Sequence, residues 1–407
     1  MHKVKTIGVI GGGAAGFFAA LNLAIFRSDV KVIIFEKTRQ PLAKVKISGG
    51  GRCNVTHHCF DPAVLSKYYP RGSDVLKRAF YTFQPTDMIE WLQERGVELK
   101  TEKDGRMFPV SNSSSTIIDC FLKLAKDLQV NIELESEITS IEKGEKSLLL
   151  HRREQEPVMC DSVLLATGGF QRSYELAKNV GHTVIDAVPS LFTFNISDPR
   201  LEDMSGVSAQ SARVSLDEST LSAEGPLLIT HWGLSGPSIL RLSAWAARIL
   251  HERKYQGTLI VHWASDHTEK DVREALVNAR SEHSSKIISL TPFFGLSKKL
   301  WKRLTDFCQI EENKVFSHLS KADLHSLVQV IVNSRFSILG KSTNKDEFVT
   351  CGGIPWKEID PKTMQSKVCP GLYFAGEVVD SDGITGGFNF QNAWTTGWIA
   401  AKAMASC

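Results

Sequence analysis

Gly11-Gly12-Gly13-Ala14-Ala15-Gly16 fits G-x-G-x-x-G, and Glu36 stands about twenty positions further on. Each residue type suits the capture of a dinucleotide. Gly11 permits a tight turn out of a strand, Gly13 leaves bare backbone for a pyrophosphate, and Gly16 lets helix and strand close up. Glu36 is placed to accept hydrogen bonds from a ribose 2′-OH, and its charge disfavours a 2′-phosphate, and so NADP, in this pocket. Next comes Ser48-Gly49-Gly50-Gly51-Arg52-Cys53-Asn54, with Lys44 and Lys46 ahead of it. Glycines in series lose too much entropy to form a regular element, which predicts a loop. That loop is either a flexible surface segment or a second cradle for the same cofactor, and its place directly after Glu36 favours the cradle. Thr167-Gly168-Gly169 ends an apolar run, and Gly376, Glu377, Asp380, Gly386, Gly387, Phe388 and Asn389 crowd one junction near the C-terminus. Within Glu224–Pro237, His231 is the candidate proton donor or base and Trp232 a surface for stacking a planar substrate.

These groups need elements to hold them. Thr6–Ile10 reads as a buried strand, Phe17–Ile25 as a helix and Val30–Phe35 as a second strand, giving the fingerprint its βαβ setting. The helix N-terminus supplies free N–H groups and partial positive charge for phosphates. Residues 60–110 read as an excursion of helices, with a helix start at Pro85-Thr86-Asp87, a stop at Gly96 and a turn at Gly105–Pro109. Thr116–Leu128 has helical spacing, Asn131–Leu134 reads as a strand, and Ile138–Ile141 with Ser147–Leu150 as an antiparallel meander. Ser162–Ala166 is the next buried strand, and its A-T-G-G ending sets glycine backbone where ligands of open α/β sheets bind. Together with the fingerprint, it points to a large dinucleotide such as FAD. From Pro189 the texture changes to short alternating segments, then to three amphipathic helices at Glu269–Ala279, Lys298–Cys308 and Lys321–Asn333. Lys298, Lys299, Lys302 and Arg303 form a basic cluster, a solvated helix face or a dock for an anionic substrate. Gly371–Glu377 reads as a last strand and turn, and Phe390–Ala405 as a closing helix.

A chain of 407 residues suits two to three domains. A formal charge of +3 makes no strong case for nucleic acid or a membrane surface. Met1-His2-Lys3 leads almost at once into the first strand, leaving no room for a signal peptide, and no apolar run is long enough to span a bilayer. The eight cysteines contain no C-x-x-C pair, so no metal site is expected, and reduced thiols in the cytoplasm are the expectation. Cys53 and Cys59 are spaced one residue wider than C-x4-C, which argues against a redox disulfide.

Gly11–Gly16, Ser48–Thr56, Gly105–Pro109, His231–Pro237, Thr350–Gly353 and Gly371–Asn392 resemble the BaiN/YhiN family of NAD(P)/FAD-dependent, aminoacetone-oxidase-like flavoproteins. The resemblance spans nearly the whole chain and is most specific at Ser48–Asn54, Ala375–Asp380 and Gly386–Asn389. It implies an α/β fold: an FAD-binding Rossmann-like domain of the two-dinucleotide-binding-domain type, with an inserted β-barrel and helical subdomain. The expected division is 1–189 for the first part of the FAD domain, 190–265 for the barrel, 266–336 for the helical subdomain, 337–355 for a return through the barrel and 356–407 for the rest of the FAD domain. By position, Gly11, Gly13, Gly16 and Glu36 would hold ADP. Lys44 and Ser48–Asn54 would line the pyrophosphate and flavin, and Gly376, Asp380, Gly386, Gly387 and Asn389 the ribityl and ring. Ala14, Ala15, Lys37, Ile138, Thr167, Gly168, Gly169, Glu377 and Phe388 complete the candidate cofactor set. The family pattern has Asn where His57 stands, so His57 is given no family role.

The function expected is that of an FAD oxidoreductase acting on a small molecule at the seam of the FAD and inserted domains. The absence of a second G-x-G-x-x-G means that NAD(P)H would visit only transiently. The alternatives are a flavoenzyme reducing a uridine in structured ribosomal RNA, an FAD-dependent amine oxidase using oxygen, and a non-catalytic FAD-binding module.

Overall fold

The computed structural model describes residues 4–342 and 349–406. They form two compact units, one built from the residues up to Val188 and those from Val349 onward, the other from Pro189 to Ser342.

The first unit is built on five parallel strands in the order Leu372–Phe374, Ser162–Leu165, Thr6–Ile10, Lys31–Phe35 and Asn131–Glu133. Ile359–Asp360 and Gln365–Ser366 extend it antiparallel beyond Leu372–Phe374. Strands covered on both faces read as continuous apolar runs, as KVIIF, SVLL and LYF do. Helix Ala14–Phe26 is apolar around most of its circumference because its other side packs against helix Phe388–Ala405. Small residues let the two approach: a Cβ on Gly397 would lie 3.0 Å from the Ala15 oxygen. Asn22, buried in that helix, is satisfied by the Phe18 carbonyl at 2.7 Å and the Trp91 indole N–H at 2.9 Å. Two expectations change. Arg106–Pro109 is a strand, paired with Thr56–His57 and Leu99–Thr101, and of the expected turn only Gly105 belongs to one, with Lys103 and Asp104 ahead of it. The glycine run is no plain loop: helical turns span Ala43–Gly51, broken where Ser48 is extended and Gly49 and Gly50 turn left-handed.

His182 is fully buried between the outlying strands. Its Nδ1 lies 2.9 Å from Glu358 Oε2 and its Nε2 2.7 Å from Ser366 Oγ. Ser366 Oγ also accepts from the Val368 and Cys369 amides, so its own proton points to Nε2, and Nδ1–H donates to Glu358. The neutral ring is thereby satisfied, and burial lowers its pKa below the ordinary 6.5 despite Glu358. The unfolded chain therefore binds the extra proton first as pH falls. The His182 contribution to stability should be complete above about pH 6.5 and diminish as pH falls from there towards the folded pKa. Urea midpoints for wild type and His182→Asn across that window check this, and the variant should lack this component of the slope.

The second unit is an antiparallel sheet in the order Ser334–Ile338, Gly257–His262, Ser208–Leu216, Ser222–Thr230, Gly233–Ser235, Phe194–Asn195 and Gly340–Lys341. Its two ends are consecutive in the chain. Ile338 pairs with Gly257, and two residues later, past Leu339, Gly340 pairs with Asn195, so the chain closes the sheet into a barrel. Helices Pro237–Trp245 and Ala247–Glu252 pad it within a stretch read as all β. Helices Glu269–Glu282, Lys298–Phe307 and Lys321–Val332 follow, N-capped by Thr268, Ser297 and Ser320. The segment expected as a return through the barrel divides. Ser334–Ile338 and Gly340–Lys341 complete the barrel, 343–348 lie outside the described residues, and Val349 onward belongs to the first unit. No helix among the described residues is long and apolar enough to cross a membrane.

Candidate dinucleotide site

Three adjacent parallel strands, Thr6–Ile10, Ser162–Leu165 and Leu372–Phe374, bring their carboxyl ends together. A Cβ on Gly11 would lie 2.6 Å from the Ala166 oxygen, and one on Gly376 would lie 2.9 Å from the Ala15 Cβ. The fingerprint, the Thr167–Gly169 turn and the Gly376–Glu377 turn are thus one locus. Gly13 caps helix Ala14–Phe26 with no side-chain bond, leaving that end to a ligand. A Cβ on Gly13 would meet nothing within 4 Å, so the space beside it is open.

Glu36 points at this turn. Its Oε2 accepts from the Gly12 N–H at 2.8 Å, while Oε1 accepts from the Thr38 N–H at 2.9 Å and the Thr38 hydroxyl at 2.8 Å. A carboxylate offers about four acceptor positions, so one remains for a ribose hydroxyl. Ser136 donates its N–H to the Glu36 backbone oxygen at 2.9 Å, and Ile138, two residues on, is buried in the hydrophobic core of the first unit. Lys37 and Lys44 stand over the half-exposed Phe170 ring, 4.6 and 5.4 Å from its centroid. Lys44 also pairs with Glu377 at 2.8 Å, and the other Glu377 oxygen accepts from the Thr350 N–H at 2.8 Å.

The Ser48–Asn54 segment is held by its own side chains. Arg52 stacks 4.0 Å over Phe108, pairs with Glu102 at 2.6 Å and donates to the Gly49 oxygen at 3.3 Å. With its side-chain amide turned so that both atoms find partners, Asn54 donates to the Thr56 oxygen at 3.1 Å and accepts from the Gly387 N–H at 2.9 Å, tying this segment to the start of the C-terminal helix. Cys53 is fully buried, and burial pushes its thiol up to about 12 against the opposing hydrogen bond with Ser48. It is therefore a packing thiol and no thiolate nucleophile.

Two candidates at the C-terminal junction have structural side-chain duties. The Phe388 ring is buried in a stack with His57 at 4.7 Å and Tyr68 at 4.5 Å. The Asn389 amide accepts from the Gly383 N–H at 2.9 Å and donates to its oxygen at 2.8 Å. Gly386 and Gly387 enter the helix with positive φ, and a Cβ on Gly387 would lie 2.5 Å from the Thr56 oxygen. The Asp380 N–H donates to the Ile354 oxygen at 2.9 Å, and its own oxygen accepts from the Trp356 indole at 3.1 Å.

A polyhydroxylated, anionic cofactor fits this locus. Besides the open space at Gly13, the Thr167 hydroxyl and the Asn392 side-chain oxygen are buried with no hydrogen-bond partner among the described residues. Asn392 is half satisfied, its amide donating to Ser381 at 3.0 Å. Thr350 and Asn392 fall in segments that carry the family resemblance, but neither was assigned to the cofactor, since only the fold brings their side chains and amides here. Among the described residues no group of three His, Cys, Asp or Glu is arranged to hold a metal ion.

His231 and Trp232 belong to the second unit, where both are exposed. They line a cavity of about 320 Å³ with Asn195, Ile196, Asp198, Leu201, Glu202 and Leu339 among its walls. The basic cluster is largely committed within its own unit. Lys299 and Arg303 donate to the Asp203 and Pro199 carbonyls, and Lys302 pairs with Asp306 at 3.2 Å.

A parallel sheet with glycine turns at three neighbouring strand ends and the Glu36 carboxylate at the first of them is a Rossmann-type dinucleotide-binding arrangement, and the chain is an FAD-dependent oxidoreductase. The chain belongs to the HI0933-like protein family, whose Rossmann-domain profile matches residues 5–403. It is 28% identical over 405 residues to the ribosomal RNA dihydrouridine synthase of Escherichia coli strain K12, covering 97% of this chain and 96% of that one. It is 27% identical over 414 residues to the 3-dehydro-bile acid delta(4,6)-reductase of Clostridium scindens, covering 99% of each. Among solved structures it resembles the open conformation of a flavocytochrome c3 fumarate reductase, with TM-score 0.51, 17% identity and coverage of 100% and 78%. It also resembles the 3-ketosteroid-Δ4-(5α)-dehydrogenase of Rhodococcus jostii RHA1, with TM-score 0.50, 12% identity and 98% of each chain. At such identities these two structures show the fold alone.

Proposed function

We propose that the protein reduces a carbon–carbon double bond conjugated to a carbonyl in a small molecule, with reduced pyridine nucleotide as the electron donor. The supporting observation is that two full-length relatives with different substrates carry names for one reaction class. Saturating a 3-oxo-Δ4,6 steroid and saturating uridine both add hydride and a proton to a C=C bond activated by a carbonyl. Bound FAD would supply the hydride chemistry. The chain would supply the Gly11–Gly16 backbone for the pyrophosphate and Glu36 for the ribose. In the second unit, the Trp232 indole with Ile196, Leu201 and Leu339 would offer a planar apolar surface, and His231 a proton donor. One dinucleotide fingerprint in the chain implies that the donor visits and leaves.

Reduction of a uridine in RNA is the second reading, favoured by the Escherichia coli relative. The internal engagement of Lys299, Lys302 and Arg303 weighs against it, because RNA needs cationic side chains left for phosphate.

Anaerobic addition of NADH or NADPH to the purified holoprotein should bleach the flavin band, and a steroid enone should restore it. Restoration only by unmodified ribosomal RNA would establish the second reading. Bleaching by an amine but by neither nucleotide would overturn both in favour of an oxidase. His231→Ala with full turnover would remove the proton-donor assignment.

A further inference from the structure

Tyr174 belongs to helix Gln171–Asn179, which starts directly beyond Thr167–Gly169. Its side chain is 3% exposed, and its hydroxyl is buried with no hydrogen-bond partner among the described residues. A buried hydroxyl is normally satisfied, and an orphan costs about 1–3 kcal/mol. Such a group calls for an absent partner.

Its surroundings identify that partner. Burial first, then the charges of Glu377 and Asp380 and the nearby Cys351, hold the phenol well above its ordinary pKa. The group is therefore a permanent O–H donor beside two carboxylates. Both carboxylates belong to the turn after strand Leu372–Phe374, and Glu377 is already engaged by Lys44 and the Thr350 N–H. A Cβ on Gly168 would lie 3.6 Å from Glu377 Oε2, so the helix carrying Tyr174 departs from the cofactor locus itself.

We infer that the Tyr174 hydroxyl donates a hydrogen bond to the ribityl chain of bound FAD. The pyrophosphate is the wrong acceptor, because an anion beside Glu377 and Asp380 would be repelled, whereas its place at the Gly13 helix start is electropositive. A ribityl hydroxyl is neutral, accepts from Tyr174 and donates onward to a carboxylate. The other hydroxyl-bearing group of FAD, the adenosine ribose, falls to Glu36 at the far side of the Gly11–Gly16 turn in this assignment.

Tyr174→Phe removes one oxygen and separates this role from a structural one by sign. With the orphan gone, the full-length apo-protein should unfold at the same urea concentration as wild type or a higher one. FAD affinity, followed by quenching of flavin fluorescence on the deflavinated chain, should fall about tenfold. ADP affinity, measured by calorimetry, should stay unchanged. Unchanged FAD affinity overturns the inference. Equal losses for FAD and ADP overturn it too, since the contact would then lie on the adenine half. A lower apo-protein midpoint, or failure to fold, would make the hydroxyl structural and overturn it as well.

Discussion

Gly13→Ala should leave the apo-protein folded and weaken FAD binding by about 100-fold or more, while Gly16→Ala should damage the fold itself. The two glycines share one motif and differ in what a methyl group would meet. At Gly13 a Cβ meets nothing, and φ is −90°, an ordinary value for alanine. The folding penalty is that of alanine at a helix cap, under about 1 kcal/mol. The methyl would instead occupy the opening in front of the helix start, where the pyrophosphate must touch bare N–H groups. At Gly16 a Cβ would lie 2.0 Å from the Gly11 oxygen, and Val9 Cγ1 is only 3.2 Å away. Backbone cannot step aside as a flexible side chain can, so helix Ala14–Phe26 must lift off strand Thr6–Ile10. Overpacking of this kind costs about 3 kcal/mol or more. Urea midpoints of the apo-proteins and FAD titrations measure both effects. A Gly13→Ala protein that binds FAD like wild type would show that no pyrophosphate lies against this turn.

The same contrast explains what could be read before the structure. Gly13 and Gly16 were assignable because their neighbours in sequence are their neighbours in space: strand, turn, helix and Glu36 lie within one βαβ unit. The barrel was legible as a change of texture, although its closure through Leu339 depends on pairings of Ile338 and Gly340 with strands far apart in the chain. Pro237–Glu252 escaped notice as helical because its small and apolar residues give no clean stripe beside a β-rich stretch. Phe388 and Asn389 were assigned to the cofactor by resemblance, and the fold adds side-chain partners that the local sequence does not show, His57 for the ring and Gly383 for the amide. The Lys298–Arg303 cluster looked available because the carbonyls that use it, Pro199 and Asp203, lie about a hundred residues upstream. Local chemistry shows in sequence, whereas the partner of a charged or polar group is decided by the fold.

Arg71 and Asp382, separated by 311 positions, are the strongest case, and breaking them should have the second large effect. The guanidinium meets the carboxylate through two hydrogen bonds, with Nε to Oδ1 at 2.5 Å and Nη2 to Oδ2. The Asp382 side chain is fully buried and that of Arg71 is 11% exposed. The pair joins the excursion after Phe60 to the loop that carries Asp380, Gly386 and Gly387. Around it the Trp356 indole holds the Asp380 oxygen and the Asn392 amide holds Ser381. Asp382→Ala takes the bidentate carboxylate away from a largely buried guanidinium, which costs about 3–5 kcal/mol, and should release the loop, so FAD binding should weaken with it. The attraction itself contributes less than this loss suggests, because both charges had to leave water. Arg71→Met with Asp382→Leu should therefore recover most of the urea midpoint lost by the single change. FAD affinity should recover less, since two apolar side chains pack without the bidentate geometry that fixes the loop. A single change costing under about 1 kcal/mol would mean that water reaches the pair and that the loop is held by Trp356 and Asn392 instead.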